Sequence, residues 1–222
     1  MLAVLGVLSS LMDRPQATAW LHYEATVLHD VDDSDGHPRA RDLMLFGVKL
    51  HGTIGKRVLQ YHAGFDLAAG ATLGGGGFAY DVALFPVGIA TKLPGSSVIA
   101  LGAGVGAMGA TGSIDDAATF PVELTGEFGN GAARLLFRAR ATWVAGGLRG
   151  GAPSASFADE LEGMIGLRIG SHDKDYGFSY GEGYFAGVGY REFEGARFVG
   201  LVVGYSISGG TSARHATSTR DE

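Results

Sequence analysis

Apolar and polar residues alternate one by one along most of this chain. In 120–128, FPVELTGEF, the residues Phe120, Val122, Leu124 and Phe128 fall on one side of an extended strand. Pro121, Glu123, Thr125 and Glu127 fall on the other. Segments of this kind recur near 20–29, 43–55, 58–71, 78–92, 97–109, 119–128, 133–145, 160–170, 181–191 and 197–208. Clusters of Gly, Asp, Ser and Pro separate them, and helical periodicity is almost absent beyond residue 19. The pattern predicts ten strands, with eight as the alternative count.

The connections carry a second pattern. Gly55-Lys56-Arg57, Pro94-Gly95-Ser96 and Gly129-Asn130-Gly131-Ala132 are tight turns. DVDDSDGHPRARD after the first strand, ATGSIDDAAT after the fifth and AGGLRGGAPSASFAD after the seventh are long. In an up-and-down meander, alternate connections lie at opposite ends of the sheet. The turns at 55–56, 94–95 and 130–131 are therefore expected at one end, and the loops at 30–42, 110–118 and 145–159 at the other. Short turns at one end and longer loops at the other are the habit of outer-membrane barrels. Two segments break the rule: SHDKDYGFSY (171–180) is long where a turn is expected, and EFEGA (192–196) is short where a loop is expected.

Splitting the strands by parity sorts the residues into two sets. One is apolar: Met44-Phe46-Val48-Leu50, Leu135-Phe137-Ala139-Ala141-Trp143 and Val199-Leu201-Val203-Tyr205-Ile207 are examples. The other carries Glu24, Lys49, Asp66, Glu123, Glu127, Arg134, Arg138, Arg140, Glu162, Arg168 and Arg191, with Gly and Ala between them. Six basic groups face five acidic ones, and five of the six are arginine, suited to planar multi-donor pairing in a crowded lumen. Strands six and seven set Glu123 and Glu127 beside Arg134, Arg138 and Arg140, which predicts mutual pairing. Glycine among these charges leaves room for long side chains to cross a narrow barrel, whereas on a solvated surface it would only weaken the strand. The charges are therefore expected to point inward and the apolar set to meet lipid. Tyr23, Tyr61, Tyr80, Trp143, Tyr184, Tyr190 and Tyr205 on the apolar faces fit interfacial belts. The alternative is a soluble β-barrel or β-sandwich with exposed cross-strand ion pairs, binding a small apolar ligand or a protein partner.

Composition sharpens this reading. The chain has 222 residues, 38 of them glycine, against a usual share of about 7%. Charged residues make up 18%, below the roughly 25% of soluble domains. A net charge of −6 offers no basic face for nucleic acid, and zero cysteines exclude thiol chemistry and disulfides. No window supplies the ~18–20 apolar residues of a membrane helix, so any crossing must use strands. Residues 1–19 read as a signal peptide or a short N-terminal helix: Leu2 to Met12 is an apolar run, followed by Pro15 and the A-x-A pattern Ala17-Thr18-Ala19. Residues 20–208 then form the barrel, and 209–222 a polar tail.

The alternating segments, the Gly-rich strands ALGAGVGAMGA and FAGVGY and the final VGLVVGYSISG together resemble small bacterial outer-membrane barrels of the outer-membrane protein A/W-like superfamily. The resemblance covers roughly residues 20–208 and is one of pattern. It implies an all-β, antiparallel, up-and-down transmembrane barrel in the bacterial outer membrane, with lipid bilayer or lipopolysaccharide as its partner. The tail GGTSARHATSTRDE departs from the terminal aromatic common in that group.

Chemistry is sparse. His22, His51 and His62 fall on the polar faces of three consecutive strands, near Glu24 and Asp66. They are expected to be lumenal groups hydrogen-bonded to carboxylates, with a metal site or acid–base cluster as the alternative. DVDDSDGH, with Asp30, Asp32, Asp33 and Asp35, suggests calcium but departs from the EF-hand loop, since Asp35 replaces the required glycine and Arg41 the closing glutamate. Gly74 to Gly77 lacks the Lys and Ser/Thr of a phosphate loop, and no G-x-S-x-G elbow occurs. The expectation is a non-enzymatic barrel without cofactor, structural or contacting a small ligand or ion. A lipid-modifying barrel enzyme is the third reading.

Overall fold

The computed structural model describes residues 16–31, 42–56, 59–73, 77–93, 97–110, 114–129, 131–145, 158–175, 178–193 and 196–211. They form ten strands: β1 (Gln16–Asp30), β2 (Asp42–Gly55), β3 (Gln60–Leu73), β4 (Gly77–Lys92), β5 (Val98–Ala110), β6 (Ile114–Phe128), β7 (Ala133–Val144), β8 (Glu160–Asp175), β9 (Phe178–Phe193) and β10 (Ala196–Thr211). Each pairs antiparallel with its chain neighbours, and β1 closes on β10 from Thr18↔Gly210 to Asp30↔Phe198. Closure leaves no unpaired sheet edge. Strands of 12–16 residues exceed the roughly 9–11 that a tilted strand needs to cross a bilayer core.

Several strands run past the expected limits. β1 begins at Gln16, so Ala17-Thr18-Ala19 lies in the ladder, with Ala17 and Ala19 outward. β6 begins at Ile114, so the segment 110–118, expected to be a long loop, is mostly strand and its connection spans only 111–113. The backbone hydrogen bonds of the ladder outweigh the weak loop signal of Asp115 and Asp116, and an extra residue on β6 between Ala117↔Met108 and Ile114↔Ala110 absorbs the mismatch. β8 and β9 likewise consume most of 171–180, leaving 176–177 as the connection. All four turns at that end are short, whereas the opposite end holds the long connections 31–41 and 145–159 beside three short ones. Among the tight turns, Gly131 has φ of +80°, a conformation that glycine adopts without strain.

β4 contains the main irregularity. Its register slips by one residue against both neighbours, between Leu84 and Ile89. Pro86 has no N–H to give the ladder, and a bulge there loses least. Tyr61 Oη donates a hydrogen bond to the freed Pro86 carbonyl. The bulge reverses the parity of the strand: Ala79, Asp81, Ala83 and Phe85 point inward before it, and Ala90 after it.

The two faces differ in kind. Phe46, Ile54, Val87, Phe120, Ile165, Tyr184 and Leu201 are among many large apolar residues exposed on the outside. Tyr80, Trp143 and Tyr190 lie toward the long-connection end, and Tyr61, Tyr180, Tyr184 and Tyr205 toward the short-turn end. Among the described residues, charged or ionisable groups on outward positions (His29, Asp42, Asp116, Glu182, Glu192, Arg197) stand near strand ends. The inside holds the charges, layered between apolar clusters. Leu28, Leu43, Leu45, Ala79, Met108, Val144 and Phe198 fill the lumen toward the long connections. Trp20, Ala90, Val98 and Ala100 pack near the opposite end.

Candidate lumenal ion-pair network

Glu24, Lys49, Asp66, Glu123, Glu127, Arg134, Arg138, Arg140, Arg168 and Arg191 are all buried inside the barrel, and the Glu162 side chain is 16% exposed. The lumen gathers them because alternate residues of every strand converge on one axis, and glycines on adjacent strands make way. A Cβ at Gly47 would lie 3.1 Å from Glu24 Cγ, and one at Gly64 would lie 2.4 Å from His51 Nδ1. Glu24 and His51 therefore lie flat against backbone that only glycine leaves clear.

The arginines reach across the barrel. Arg138 on β7 holds Glu24 on β1 at 3.2 Å and Glu162 on the adjacent β8 at 2.8 Å. Arg140 reaches Asp81 on β4 at 2.9 Å, and Arg191 on β9 meets the other oxygen of the same carboxylate at 2.7 Å. Lys49 sits 2.7 Å from Asp66 and 3.8 Å from Glu24. Nearer the short turns, Arg134 and Arg168 share Glu127, both at 2.9 Å. Bridges between nearly opposite strands close the lumen at mid-height. A cavity of about 30 Å³ bounded by Glu24, Lys49, Asp81, Arg138, Glu162 and Arg191 leaves room for one or two waters.

Of the pairings expected between strands six and seven, Arg134 with Glu127 forms, whereas Glu123 and Glu127 make no ion pair with Arg138 or Arg140. Glu123 stands directly opposite Arg140 in the β6–β7 ladder, yet Arg140 extends away to Asp81. The long stem of Arg140 carries its guanidinium off the wall and past Glu123, although Arg134 and Arg138 do meet carboxylates on adjacent strands. Asp81 is the hub that parity analysis does not supply, because the Pro86 bulge scrambles the alternation of β4. Glu160, buried at 4% exposure, is a further inward acid missed for lying at the strand boundary.

The histidines separate. His51 and His62 lie side by side, Nδ1 to Nε2 at 3.4 Å, both stacked on Trp20 at 5.8 Å between ring centroids. His51 Nε2 lies 2.8 Å from Asp66 Oδ1 and 3.8 Å from Glu123 Oε1. His22 packs instead against Phe185, centroids 5.6 Å apart. Trp20 shares the parity of His22 and Glu24, which would have placed it in the lumen. Asp30 ends β1, whereas Asp32, Asp33 and Asp35 of the acidic loop lie outside the described residues, as do 74–76 of the glycine run.

No family model matches the chain, and no curated protein matches it. Solved structures similar to it include a deltaS2 mutant of the TodX monoaromatic hydrocarbon channel, 8% identical over 90% of each chain with a TM-score of 0.39. Another is the translocator domain of the autotransporter NalP from Neisseria meningitidis, 11% identical over 92% of each chain with a TM-score of 0.37. At such scores neither likeness bears on what this chain does.

Proposed function

We propose that this chain is a non-enzymatic barrel of the bacterial outer membrane, its wall in contact with lipid bilayer or lipopolysaccharide and its lumen closed by ion pairs. One observation carries the reading: between the two ends, the outward face is a continuous apolar band, while Lys49, arginines and carboxylates crowd the axis. Water outside would make that band an aggregation surface far beyond the few hundred Å² a soluble monomer exposes. A bilayer removes the penalty and reverses the usual economy of inside and outside. The soluble alternative requires the opposite sorting.

The role that fits a closed lumen is structural, or contact with a small ligand or ion, and not free diffusion of solutes. Bridges from Arg138 to Glu24 and from Arg191 to Asp81 span the bore where a channel would be open. Two measurements test this. Folded protein stripped of detergent is expected to aggregate and, returned to lipid vesicles, to insert. Planar-bilayer recording is then expected to show no steady ohmic conductance. A detergent-free monomeric species would end the membrane reading, and a stable open conductance would end the closed-lumen one.

A further inference from the structure

His51, Asp66 and Glu123 come from three strands, β2, β3 and β6, and each is at most 3% exposed. One ligand-capable atom from each lies within 4.8 Å of the others. We infer that these three side chains form a binding site for a divalent transition-metal cation of the zinc class, buried in the lumen and joined to the ion-pair network through Asp66. The inference goes beyond the proposed barrel role and depends only on which residues share the lumen, so it stands or falls separately from lipid contact.

The Gly52 carbonyl can only accept, so the His62 Nδ1 atom 3.2 Å away carries a proton and donates it. If His62 is neutral, its Nε2 accepts, and His51 donates from Nδ1 across 3.4 Å. That leaves a lone pair on His51 Nε2 aimed at Asp66 Oδ1 only 2.8 Å away, two acceptors face to face. All three contacts of the row are hydrogen-bonded or ligated at once only with one extra positive charge, either a proton on the row or a cation at Nε2. A proton there serves a single acceptor. Glu123 also turns its carboxylate toward Nε2, and its Oε2 is buried with no hydrogen-bond partner. A metal ion gathers both carboxylates and the imidazole together.

Ligand spacing and chemistry agree. With bonds of about 2.0–2.1 Å, a tetrahedral site places its ligand atoms about 3.3 Å apart. The 2.8 and 3.8 Å separations straddle that value. One imidazole and two carboxylates suit zinc-class ions better than calcium or magnesium, which take oxygen alone. The surroundings supply the supporting contacts such a site needs. Lys49 holds the outer Asp66 oxygen at 2.7 Å, His62 fixes the His51 tautomer, and Gly64 gives the His51 ring its seat.

The test uses the full chain, folded in detergent, dialysed against Zn²⁺ or Co²⁺ and then freed of loose metal. One metal per chain and the visible d–d absorption of low-symmetry Co²⁺ are expected. Glu123→Gln, nearly isosteric, should lower the affinity at least 10-fold, and His62→Gln, which leaves all three ligands in place, should shift it by roughly 10–100-fold. Far-UV circular dichroism confirms that each variant is folded. Should Glu123→Gln fail to fold, the stoichiometry of the wild-type chain and the His62→Gln shift decide alone. Substoichiometric metal in the folded wild type, or Co²⁺ spectra and affinities unchanged in the folded variants, would overturn the assignment and leave a protonated histidine pair in its place.

Discussion

Leu136 and Leu167 are neighbours on the β7–β8 ladder, where Leu135 pairs with Leu167 and Leu136 with Gly166. Leu136 points inward, is 2% exposed and packs with Met164, Phe185 and Val202; Leu167 points outward and is 48% exposed. Two leucines side by side thus live in different solvents. The contrast shows that apolarity does not distinguish inside from outside in this barrel, because both faces contain it. Charge does. The lumen mixes leucine with arginine and glutamate, while the outward band between the strand ends contains leucine but neither arginine nor glutamate among the described residues.

The largest effect is expected where the lumen holds charge. Replacing Arg138 by Leu leaves Glu24 and Glu162 buried without their main partner, and about 3–5 kcal/mol should be lost in equilibrium unfolding from detergent or lipid. An unchanged midpoint would mean that the charges are solvated and contribute little. Next comes Leu136→Ala, which opens a cavity among fixed neighbours and should cost about 2–5 kcal/mol by the same measurement. Placing arginine at Leu167 puts a charge on the lipid face and should cost roughly 2–4 kcal/mol near the midplane. The smallest change is Leu167→Ala. Lipid refills the space, so the loss should stay under about 2 kcal/mol and clearly below that of Leu136→Ala. Equal losses at the two leucines would erase the difference between the faces.

Phe137 is a less suitable outward probe than the alternation suggests. Its ring covers Gly126, where a Cβ would come within 2.2 Å of it, and stacks on Phe128 at 5.4 Å. Truncating it removes protein contacts as well as lipid ones, as expected of an aromatic laid over a cross-strand glycine.

Much of the fold was legible because a strand's period of two is rigid: once one charged residue is inward, its i+2 neighbours follow. That logic reads β7 from Arg134 to Val144 without error, and it places Glu123 and Glu127 in the lumen. It fails at β4, where one proline inserts a residue and reverses the alternation, hiding Asp81 and Phe85. It also says nothing about partners. Register puts Glu123 opposite Arg140, but distances across the bore bring Arg140 to Asp81 and Arg138 to Glu24, and those depend on closure by all ten strands. The clustering of His51 with Asp66 and Glu123 has the same origin, since β2 and β6 come together only through the curvature of the wall. Loop length was misjudged for a local reason: acidic residues such as Asp116 look like loop residues, yet Tyr80 on β4 donates a hydrogen bond to Asp116 at 2.7 Å across the strand ends.

The chain's two tryptophans allow the most direct test. Trp143 lies on the outward face at 39% exposure, whereas Trp20 is stacked inside on two histidines at 7%. Each is left alone in turn by Trp20→Phe and Trp143→Phe, and fluorescence is recorded in vesicles of lipid brominated high on the acyl chain. Strong quenching of Trp143 with Trp20 untouched is the predicted result. Quenching of Trp20 alone, or protection of both in folded, vesicle-bound protein, would contradict an inward polar face and an outward lipid face.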